Sequence, residues 1–293
     1  MNIQWYPGHM TKTRRQIEAD LKNVDMVAEI IDARIPVASR NPDIDAIVGS
    51  KPRLIVLKRA DQADPAWNRA WRAWFQDRGC TVLETDAKTG AGVGQFSITI
   101  KEALKDQIAR WREKGQVGRI VRVMVVGIPN VGKSTFINNF AGEARAKAAD
   151  RPGVTRGKQW VTVEGYDLLD MPGVLWKKFD SLETATNLAF IGSIKDDILD
   201  IEELAMGLLA QMQAVCPEKL AGRYKLSAQQ LGLAPWELLQ EIGRRRGMLV
   251  SGGEVNTERA AVMVVDEFRA SKWGRITLEA PPQKGKPDEQ PIV

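Results

Sequence analysis

The stretch GIPNVGKST, residues 127–135, decides the fold. It has the form Gly-x4-Gly-Lys-Ser, in which backbone amides turn inward around phosphate oxygens. The apolar run RVMVVG before it predicts a strand, and the stretch opens a predicted helix whose positive end faces the anion. We therefore expect nucleotide phosphates to bind here. The predicted contact residues are Asn130, Val131, Gly132, Lys133, Ser134 and Thr135.

Ser134 of the phosphate loop and three positions downstream complete the phosphate end of the predicted site. Ser134 offers its hydroxyl to Mg²⁺, and Asp170, in the segment DMPG, offers a carboxylate on the metal side. Gly173 closes the same segment, where a backbone amide can sense the γ-phosphate. Thr155, in RPGVTRG, is the candidate that completes the magnesium shell in the triphosphate state. The alternative for Thr155 is an ordinary polar residue of a loop.

The segment KRAD, upstream of the phosphate loop, carries the pattern of a guanine reader. It supplies Lys58, Arg59, Ala60 and Asp61 after a predicted strand. A carboxylate at Asp61 can accept both the N1–H and the 2-amino group of guanine, a donor pair that adenine lacks. The stem of Arg59 can lie along the base. Lys58 stands where Asn is usual, and the lost amide contact predicts GTP binding weaker by about 1 kcal/mol. The alternative is that KRAD only initiates a helix.

The segment DAK follows the next predicted strand and supplies Asp86, Ala87 and Lys88. It resembles the Ser-Ala-Lys loop that backs guanine with a main-chain amide, with Asp86 in place of Ser. The order along the chain is therefore base reader, backing loop, phosphate loop, Thr loop and Asp-x-x-Gly. This is the GTPase set in circularly permuted order. Because Gly173 then leads out of the sheet, we expect domain orientation to differ between the GTP and GDP states.

Hydrophobic periodicity predicts an α/β fold, a circularly permuted P-loop GTPase domain, followed by an all-helical domain. Strands are predicted at 26–31, 53–57, 80–84 and 122–127, with a hairpin over 159–170, and helices at 65–76 and 96–113. Further helices are predicted at 181–194, 200–213, 227–243 and 256–270. The predicted domains are 1–178 for the GTPase domain with an N-terminal arm, 179–275 for a helical RNA-binding domain, and 276–293 for a disordered tail.

Composition excludes several classes of protein. The 293 residues carry a net charge of +5, a mild bias toward a polyanionic partner such as RNA. One histidine excludes a multi-histidine metal site, and two cysteines without metal-ligand spacing predict reduced thiols and no disulfide. No apolar run could span a membrane, and the N-terminal sequence lacks the apolar core of a signal peptide, so we expect a cytoplasmic protein. The cluster GRRRG supplies candidate RNA contacts at Arg244, Arg245 and Arg246, with a solvated charged face as the alternative.

Seven segments together resemble the YlqF/RbgA family of circularly permuted GTPases, in content and in order. They span residues 5–176 and read WYPGHMTK, DARIPVASRNP, KRAD, DAK, GIPNVGKST, PGVTRG and DMPGVLW. The resemblance implies GTP hydrolysis that is slow alone and stimulated by ribosomal particles. It also implies a role in late assembly of the large ribosomal subunit, with rRNA or a pre-ribosomal particle as partner.

Hydrolysis needs a group that orients water, and Val174 stands where Ras-type GTPases place Gln. The resemblance implies that His9 is catalytic, and a structural histidine is the alternative. It also makes Asn130 a candidate potassium ligand, and a residue that only favours the turn is the alternative.

Two rival functions remain. One is a nucleotide-binding regulatory module with negligible hydrolysis, acting on a protein partner, and the other is an ATP-using kinase or transporter ATPase, which Asp61 disfavours.

Overall fold

The structure, a computed structural model, describes residues 10–86, 89–142, 159–163, 165–173, 181–194 and 196–282, with side chains from residue 14 onward. The chain divides into two compact units. The sheet unit contains the described residues of 10–173 together with 279–282. The helical unit contains the described residues of 181–278.

Six strands form the sheet, in the order β3-β2-β1-β4-β6-β5. All neighbours are parallel except β5 and β6, which form an antiparallel hairpin. The carboxyl ends of the parallel strands therefore meet at one edge, where ligands bind in open α/β sheets. The predicted strands and the hairpin are confirmed. The bounds are β1 Met26–Asp32, β2 Arg53–Lys58, β3 Thr81–Thr85, β4 Val121–Val126, β5 Gln159–Val163 and β6 Tyr166–Asp170.

The helices described in the sheet unit are α1 Met10–Asp20, α2 Asp43–Val48, α3 Pro65–Gln76, α4 Phe96–Ala103, α5 Lys105–Glu113 and α6 Lys133–Ala141. The start of α3 follows from its cap, because Asp64 accepts the backbone N–H groups of Ala66 and Trp67 and Pro65 takes the first helical position. The single helix predicted over 96–113 is wrong, since Leu104 is buried with non-helical dihedral angles and divides α4 from α5.

Helices cover both faces of the sheet. On one face, Ile17 of α1 and Ile44 of α2 pack with Met124 and Leu169, and α3 packs through Phe75 beside them. On the other face, ring pairs join α4 to α6 and α6 to the sheet: Phe96–Phe136 and Phe140–Tyr166, with centroids 5.0 and 5.9 Å apart. Strands β1, β2, β4 and β6 are thus largely buried, whereas β5 at the edge of the sheet is mostly exposed.

The described helices of the helical unit are α7 Leu182–Phe190, α8 Ile201–Val215, α9 Pro217–Tyr224, α10 Ala228–Leu231, α11 Pro235–Arg245 and α12 Thr257–Arg269. The helix predicted over 227–243 is two helices, because Ser227 caps a short α10 and Pro235 starts α11 afresh. The sequence prediction missed α9. The apolar stripe of α8 is buried and includes Leu204, Leu208 and Met212.

Residues 276–282 differ from the disordered tail expected there. Ile276 and Leu278 are buried, and Glu279 belongs to the sheet unit. The Glu279 carboxylate accepts hydrogen bonds from the backbone N–H groups of Val37 and Ala38 at 2.6 and 3.1 Å. The backbone carbonyl of Glu279 accepts a hydrogen bond from Nε1–H of Trp71 at 2.8 Å. Proline and charge in the sequence concealed these contacts, which depend on tertiary partners. Residues 283–293 lie outside the described part of the chain.

Candidate nucleotide-binding site

The phosphate loop follows β4 directly and turns in space that only glycine can use. Gly127 has φ +152°, and a methyl group there would lie 2.6 Å from the Ile30 carbonyl oxygen. Asn130 and Gly132 have φ of +58° and +97°, and α6 begins at Lys133. The strand, loop and helix expected from the sequence are therefore present. The loop leads into the start of α6, where the positive end of the helix dipole favours an anion.

Lys133 is buried and folded back on this loop. Its ammonium donates to the carbonyls of Gly127 and Ile128 at 3.1 and 2.9 Å. Burial lowers its pKa to about 8, and the carboxylate of Asp170 opposes that shift. A phosphate would give the ammonium a stronger, charged acceptor than these carbonyls. The Lys133 ammonium is therefore held where it would pair with the negative charge of a bound phosphate.

Asp170 and Gly173 lie against the phosphate loop. Asp170 ends β6 opposite Val125 of β4, and it is buried. A methyl group at Gly173 would lie 2.7 Å from both N and Cα of Pro129 and 3.1 Å from Nζ of Lys133. The DMPG segment thus touches the phosphate loop at a distance that only glycine permits.

The predicted magnesium ligands fit the ion in chemical type. The hydroxyl of Ser134 and the carboxylate of Asp170 are the oxygen donors that Mg²⁺ prefers. The Coulomb interaction between Asp170 and Lys133 indicates that the carboxylate lies near the phosphate end of the site. Within the described residues, no group of three or more His, Cys, Asp or Glu could hold a metal by itself. Phosphates and water would complete the shell.

The base-reading segment lies at the same edge of the sheet, next to the phosphate loop. The carbonyl of Lys58 accepts the Ala33 N–H at 2.9 Å, and the N–H of Ala60 donates to the Thr85 carbonyl at 3.1 Å. Asn68 of α3 donates to the carbonyl of Ala60 at 2.9 Å. These bonds tie residues 58–61 to two neighbouring strands and a helix. Asp61, half-exposed, follows directly.

Lys58 joins the two halves of the predicted site. A methyl group added at Gly132 would lie 2.4 Å from Cε of Lys58, so the lysine stem crosses the phosphate loop in contact with it. The base reader precedes the phosphate loop by about 70 residues in the sequence, and the fold brings them into contact. Asp86 supports the next loop, since its Oδ1 accepts the Thr89 N–H at 3.1 Å.

Sequence reasoning missed a buried clamp behind the base reader. Oδ1 of Asp32 accepts Nε–H of Arg34 at 3.0 Å, and Oδ2 accepts Nη2–H of Arg34 at 2.9 Å. Arg59 reaches the same Oδ2 with Nη1 at 3.4 Å, with its backbone at φ +61°. Burial alone would raise the pKa of Asp32, but Arg34 and Arg59 outweigh it and lower the pKa. The signal was available in DAR, an acidic residue at a strand end followed by arginine two positions later.

Four predicted site residues lie outside the described residues: His9, Ala87, Lys88 and Thr155. The three arginines of the predicted RNA cluster differ in their surroundings. Arg244 has 61% of its side chain exposed and pairs with Glu241. Arg245 donates to Glu241 and to the carbonyl of Lys225, and Arg246 lies over the Tyr224 ring at 5.3 Å. Arg244 is thus the one of the three with most surface for a partner.

The sequence predicts reduced cysteines and no membrane-spanning segment. Cys80 and Cys216 are both free thiols, buried and half-buried respectively. Across the described ranges, each helix is too short or too polar to pass through a bilayer.

Comparison with known proteins gives three kinds of match. A family model described as 50S ribosome-binding GTPase matches residues 122–217, a part that begins in β4 and includes the phosphate loop. Ribosome biogenesis GTPase A of Priestia megaterium is 43% identical over 289 residues, covering 98% of this chain and 100% of that protein. A GDP-bound structure of TM YlqF has a TM-score of 0.63 at 27% identity, covering 91% of this chain and 99% of that one. A GNP-bound YlqF from T. maritima has a TM-score of 0.60 at 28% identity, covering 92% and 98%.

Proposed function

Because the chain belongs to the ribosome biogenesis GTPase A (YlqF/RbgA) family, we propose that it hydrolyses GTP during assembly of the large ribosomal subunit and binds rRNA or a pre-ribosomal particle in a nucleotide-dependent way. The family resemblance and the permuted P-loop GTPase fold predicted from the motifs are confirmed. A GTPase that serves ribosome biogenesis is likewise confirmed, and the regulatory module with negligible hydrolysis is not favoured.

The observation that carries the proposal is the contact of three separated segments at one edge of the sheet. Lys58 of the base reader touches Gly132, and Gly173 touches Pro129. A base reader and a γ-phosphate sensor that both contact one phosphate loop form the minimum needed to bind GTP and distinguish it from GDP. Two close approaches to one loop support this arrangement, although the base reader comes first in the sequence.

We assign roles within this site as follows. Asp61 reads the guanine Watson–Crick edge, and Asp86, Ala87 and Lys88 back the base. Lys133 holds the terminal phosphates, and the amides of residues 130–135 cradle them. The backbone amide of Gly173 contacts the γ-phosphate. The magnesium ligands are Ser134, Asp170 and Thr155, and the ion supplies positive charge to the β- and γ-phosphates when bound.

For the hydrolytic step we propose that His9 orients water and that Asn130 helps to hold a potassium ion. Val174 cannot orient water, and imidazole can do so at neutral pH. His9→Ala should leave GTP binding intact and depress turnover, and unchanged turnover would remove His9 from the mechanism. Equal turnover in potassium and sodium buffers would remove the ion at Asn130.

For the partner we propose rRNA, contacted in part by the helical unit through Arg244. Lys and Arg bind phosphates without reading sequence, so this contact would position the protein rather than select a site. The exposure of Arg244 supports this assignment, and Arg245 and Arg246 would act mainly by holding their helix end. The proposed place of action is the cytoplasm, where ribosomal particles are available. Residues 1–178 and 179–275 remain our proposed GTPase and RNA-binding domains.

The test is GTP turnover in potassium buffer, alone and with added large ribosomal subunits. Stimulation by these particles, absent with an equal amount of small subunits, is the expected result. A Ser134→Ala variant, which lacks the proposed magnesium hydroxyl, controls for contaminating GTPases in the particles. Measurable turnover that neither kind of particle changes would refute the coupling to the large subunit.

A further inference from the structure

Glu279 holds two different elements of the sheet unit at once. Its side-chain carboxylate accepts hydrogen bonds from the backbone N–H groups of Val37 and Ala38, in the loop between β1 and α2. Its backbone carbonyl accepts a hydrogen bond from Nε1–H of Trp71, on α3. The chain enters the sheet unit at this residue, since the helical unit ends at Leu278. Glu279 therefore joins the loop after β1 to α3.

The loop between β1 and α2 supports the base reader. The N–H of Ala33 donates to the carbonyl of Lys58 at 2.9 Å. The same loop fixes Asp32 at the end of β1, because the N–H of Asp32 donates to Oγ of Ser39 at 3.0 Å. Oδ2 of Asp32 in turn accepts from Nη1 of Arg59, in the base reader, at 3.4 Å. Displacement of the loop would therefore reach the base reader through both contacts.

The helix α3 supports the base reader through a separate contact. Nδ2 of Asn68 donates to the carbonyl of Ala60 at 2.9 Å. Asn68 and Trp71 are three residues apart on α3 and are both buried, so they lie on the same face of the helix. Glu279 and the base reader thus contact one face of α3, and Glu279 holds both supports of the base reader.

Arg59 is the residue of the base reader that most needs these supports. Its backbone has φ +61°, in the left-handed region that residues with a side chain rarely adopt. Such a conformation persists only where neighbouring contacts hold it. Those contacts come from Asp32 on one side of the segment and from Asn68, through Ala60, on the other. If either support loosened, Arg59 would relax and shift Asp61, two residues later in the chain.

We propose that Glu279 is a positioning residue for guanine recognition, which holds the base reader in place through the loop after β1 and through α3. The inference rests on the proposed function, since it takes Asp61 as the group that reads the base. Glu279 acts through these two supports rather than by touching the nucleotide. Its loss loosens the base reader and leaves the phosphate loop intact. Release of Glu279 is then a way to speed dissociation of GDP without any change at the phosphates.

The experiment compares GDP with inosine diphosphate, which lacks the 2-amino group that Asp61 would read. Both affinities are measured by titration calorimetry on the full-length protein, together with thermal unfolding. Wild-type protein should prefer GDP by about tenfold or more, the effect of a hydrogen bond to a charged group. In Glu279→Ala this preference should fall by at least about twofold, the smallest effect typical of contacts that act through intervening residues. A fluorescent GDP should also dissociate faster from this variant.

Three further variants separate positioning from stability. Trp71→Phe keeps a ring in the core but removes the N–H that Glu279 holds, so it should also reduce the preference for GDP. Glu279→Gln keeps an acceptor oxygen and should keep most of the preference. Asp25→Ala is the matched control, because Asp25 accepts the backbone N–H of Arg122 at 2.9 Å and lies at the opposite end of β1 from the base reader. It should lower the melting temperature and keep the wild-type preference.

Two results with the variants would overturn the inference. An unchanged preference in folded Glu279→Ala, at a lowered melting temperature, would leave Glu279 with a structural role alone. If that variant does not fold, Trp71→Phe decides, and an unchanged preference there overturns the inference. An equal fall of the preference in Asp25→Ala would show that general destabilisation is the cause.

Wild-type protein tests the base reader on which the inference rests. If it binds GDP and inosine diphosphate equally, the assignment of Asp61 is wrong and the inference about Glu279 is overturned with it. If wild type prefers GDP while Glu279→Ala and Trp71→Phe keep that preference, only the role of Glu279 is refuted. Coupling to the large ribosomal subunit is tested separately, by turnover with added particles.

Discussion

Substitution of Gly173 by alanine should lower the affinity of the site for GTP more than its affinity for GDP. The added methyl group would lie 2.7 Å from N and Cα of Pro129, where carbon contacts prefer about 3.5–4.0 Å. The overlap of about 1 Å falls on backbone, which cannot rotate away as a side chain can. Overpacking of this kind costs about 1–3 kcal/mol.

The strain should be relieved on the Gly173 side. The phosphate loop is held by two hydrogen bonds from Lys133 to its carbonyls, so the loop resists displacement. Movement of residue 173 removes its amide from the γ-phosphate and leaves the α- and β-phosphate contacts in place. We expect affinity for a non-hydrolysable GTP analogue to fall about 5- to 150-fold, and GDP affinity to fall less than about threefold.

The assay is equilibrium titration with both nucleotides, together with thermal unfolding of each variant. Gly94→Ala is the matched control, because no heavy atom lies within 4 Å of its added methyl group. That variant should behave like wild type with both nucleotides. Equal affinities of Gly173→Ala and wild type for the GTP analogue would refute the claim that residue 173 is pressed against the loop.

Three other predictions concern the protonation of Lys133, the Glu279 carboxylate contact and the arginine cluster. Burial lowers the pKa of Lys133 to about 8 from 10.5. Between those values the unfolded chain holds a proton that the native chain has lost, so the unfolding free energy of nucleotide-free protein should rise with pH there. GDP binding at pH 9 should take up a proton, measured by calorimetry in buffers of different ionisation enthalpy, and zero uptake would contradict this. Glu279→Ala should lower the unfolding free energy by about 1–2 kcal/mol in denaturant titrations, since it removes an acceptor from the N–H of Val37. Glu279→Gln should lose less, and equal losses would show that the amide oxygen cannot substitute for the carboxylate. Arg245→Ala should lower the melting temperature and Arg244→Ala should not, whereas rRNA binding should weaken with Arg244→Ala; the opposite pattern would refute the division of roles.

The sequence predicted those parts of the molecule whose chemistry is local. The phosphate loop is specified by glycines within eight residues, because their backbone angles and the following helix are set by near neighbours. The strands were predicted within about a residue, since the apolar runs of β1, β2 and β4 are almost wholly buried. The circular order followed from motif order alone. Family matches over nearly the whole chain then confirmed the fold and the GTPase assignment.

Features that depend on contacts between distant segments could not be predicted in this way. The approach of Lys58 to Gly132 joins residues from opposite halves of the sheet unit, and the sequence gives no spacing rule for it. The clamp of Arg34 on Asp32 appears in the sequence only as the tripeptide DAR, which does not reveal the contact. Leu104 interrupts a helix with φ −105° and ψ 11°, although leucine has a high helix propensity. Glu279 was assigned to a polar tail because the N–H groups that donate to it lie more than 200 residues away.

The contact between Trp71 and Glu279 has a consequence for how the chain is made. The ribosome releases α3 early, while the carbonyl that accepts the Trp71 indole N–H is synthesised 208 residues later. Until then the Trp71 indole N–H can pair only with water, and burying it without that carbonyl would cost about 1–3 kcal/mol. Any chain that stops within the helical unit keeps that defect permanently. Full-length synthesis therefore completes the sheet unit, and we expect prematurely ended chains to be the easier targets for proteases.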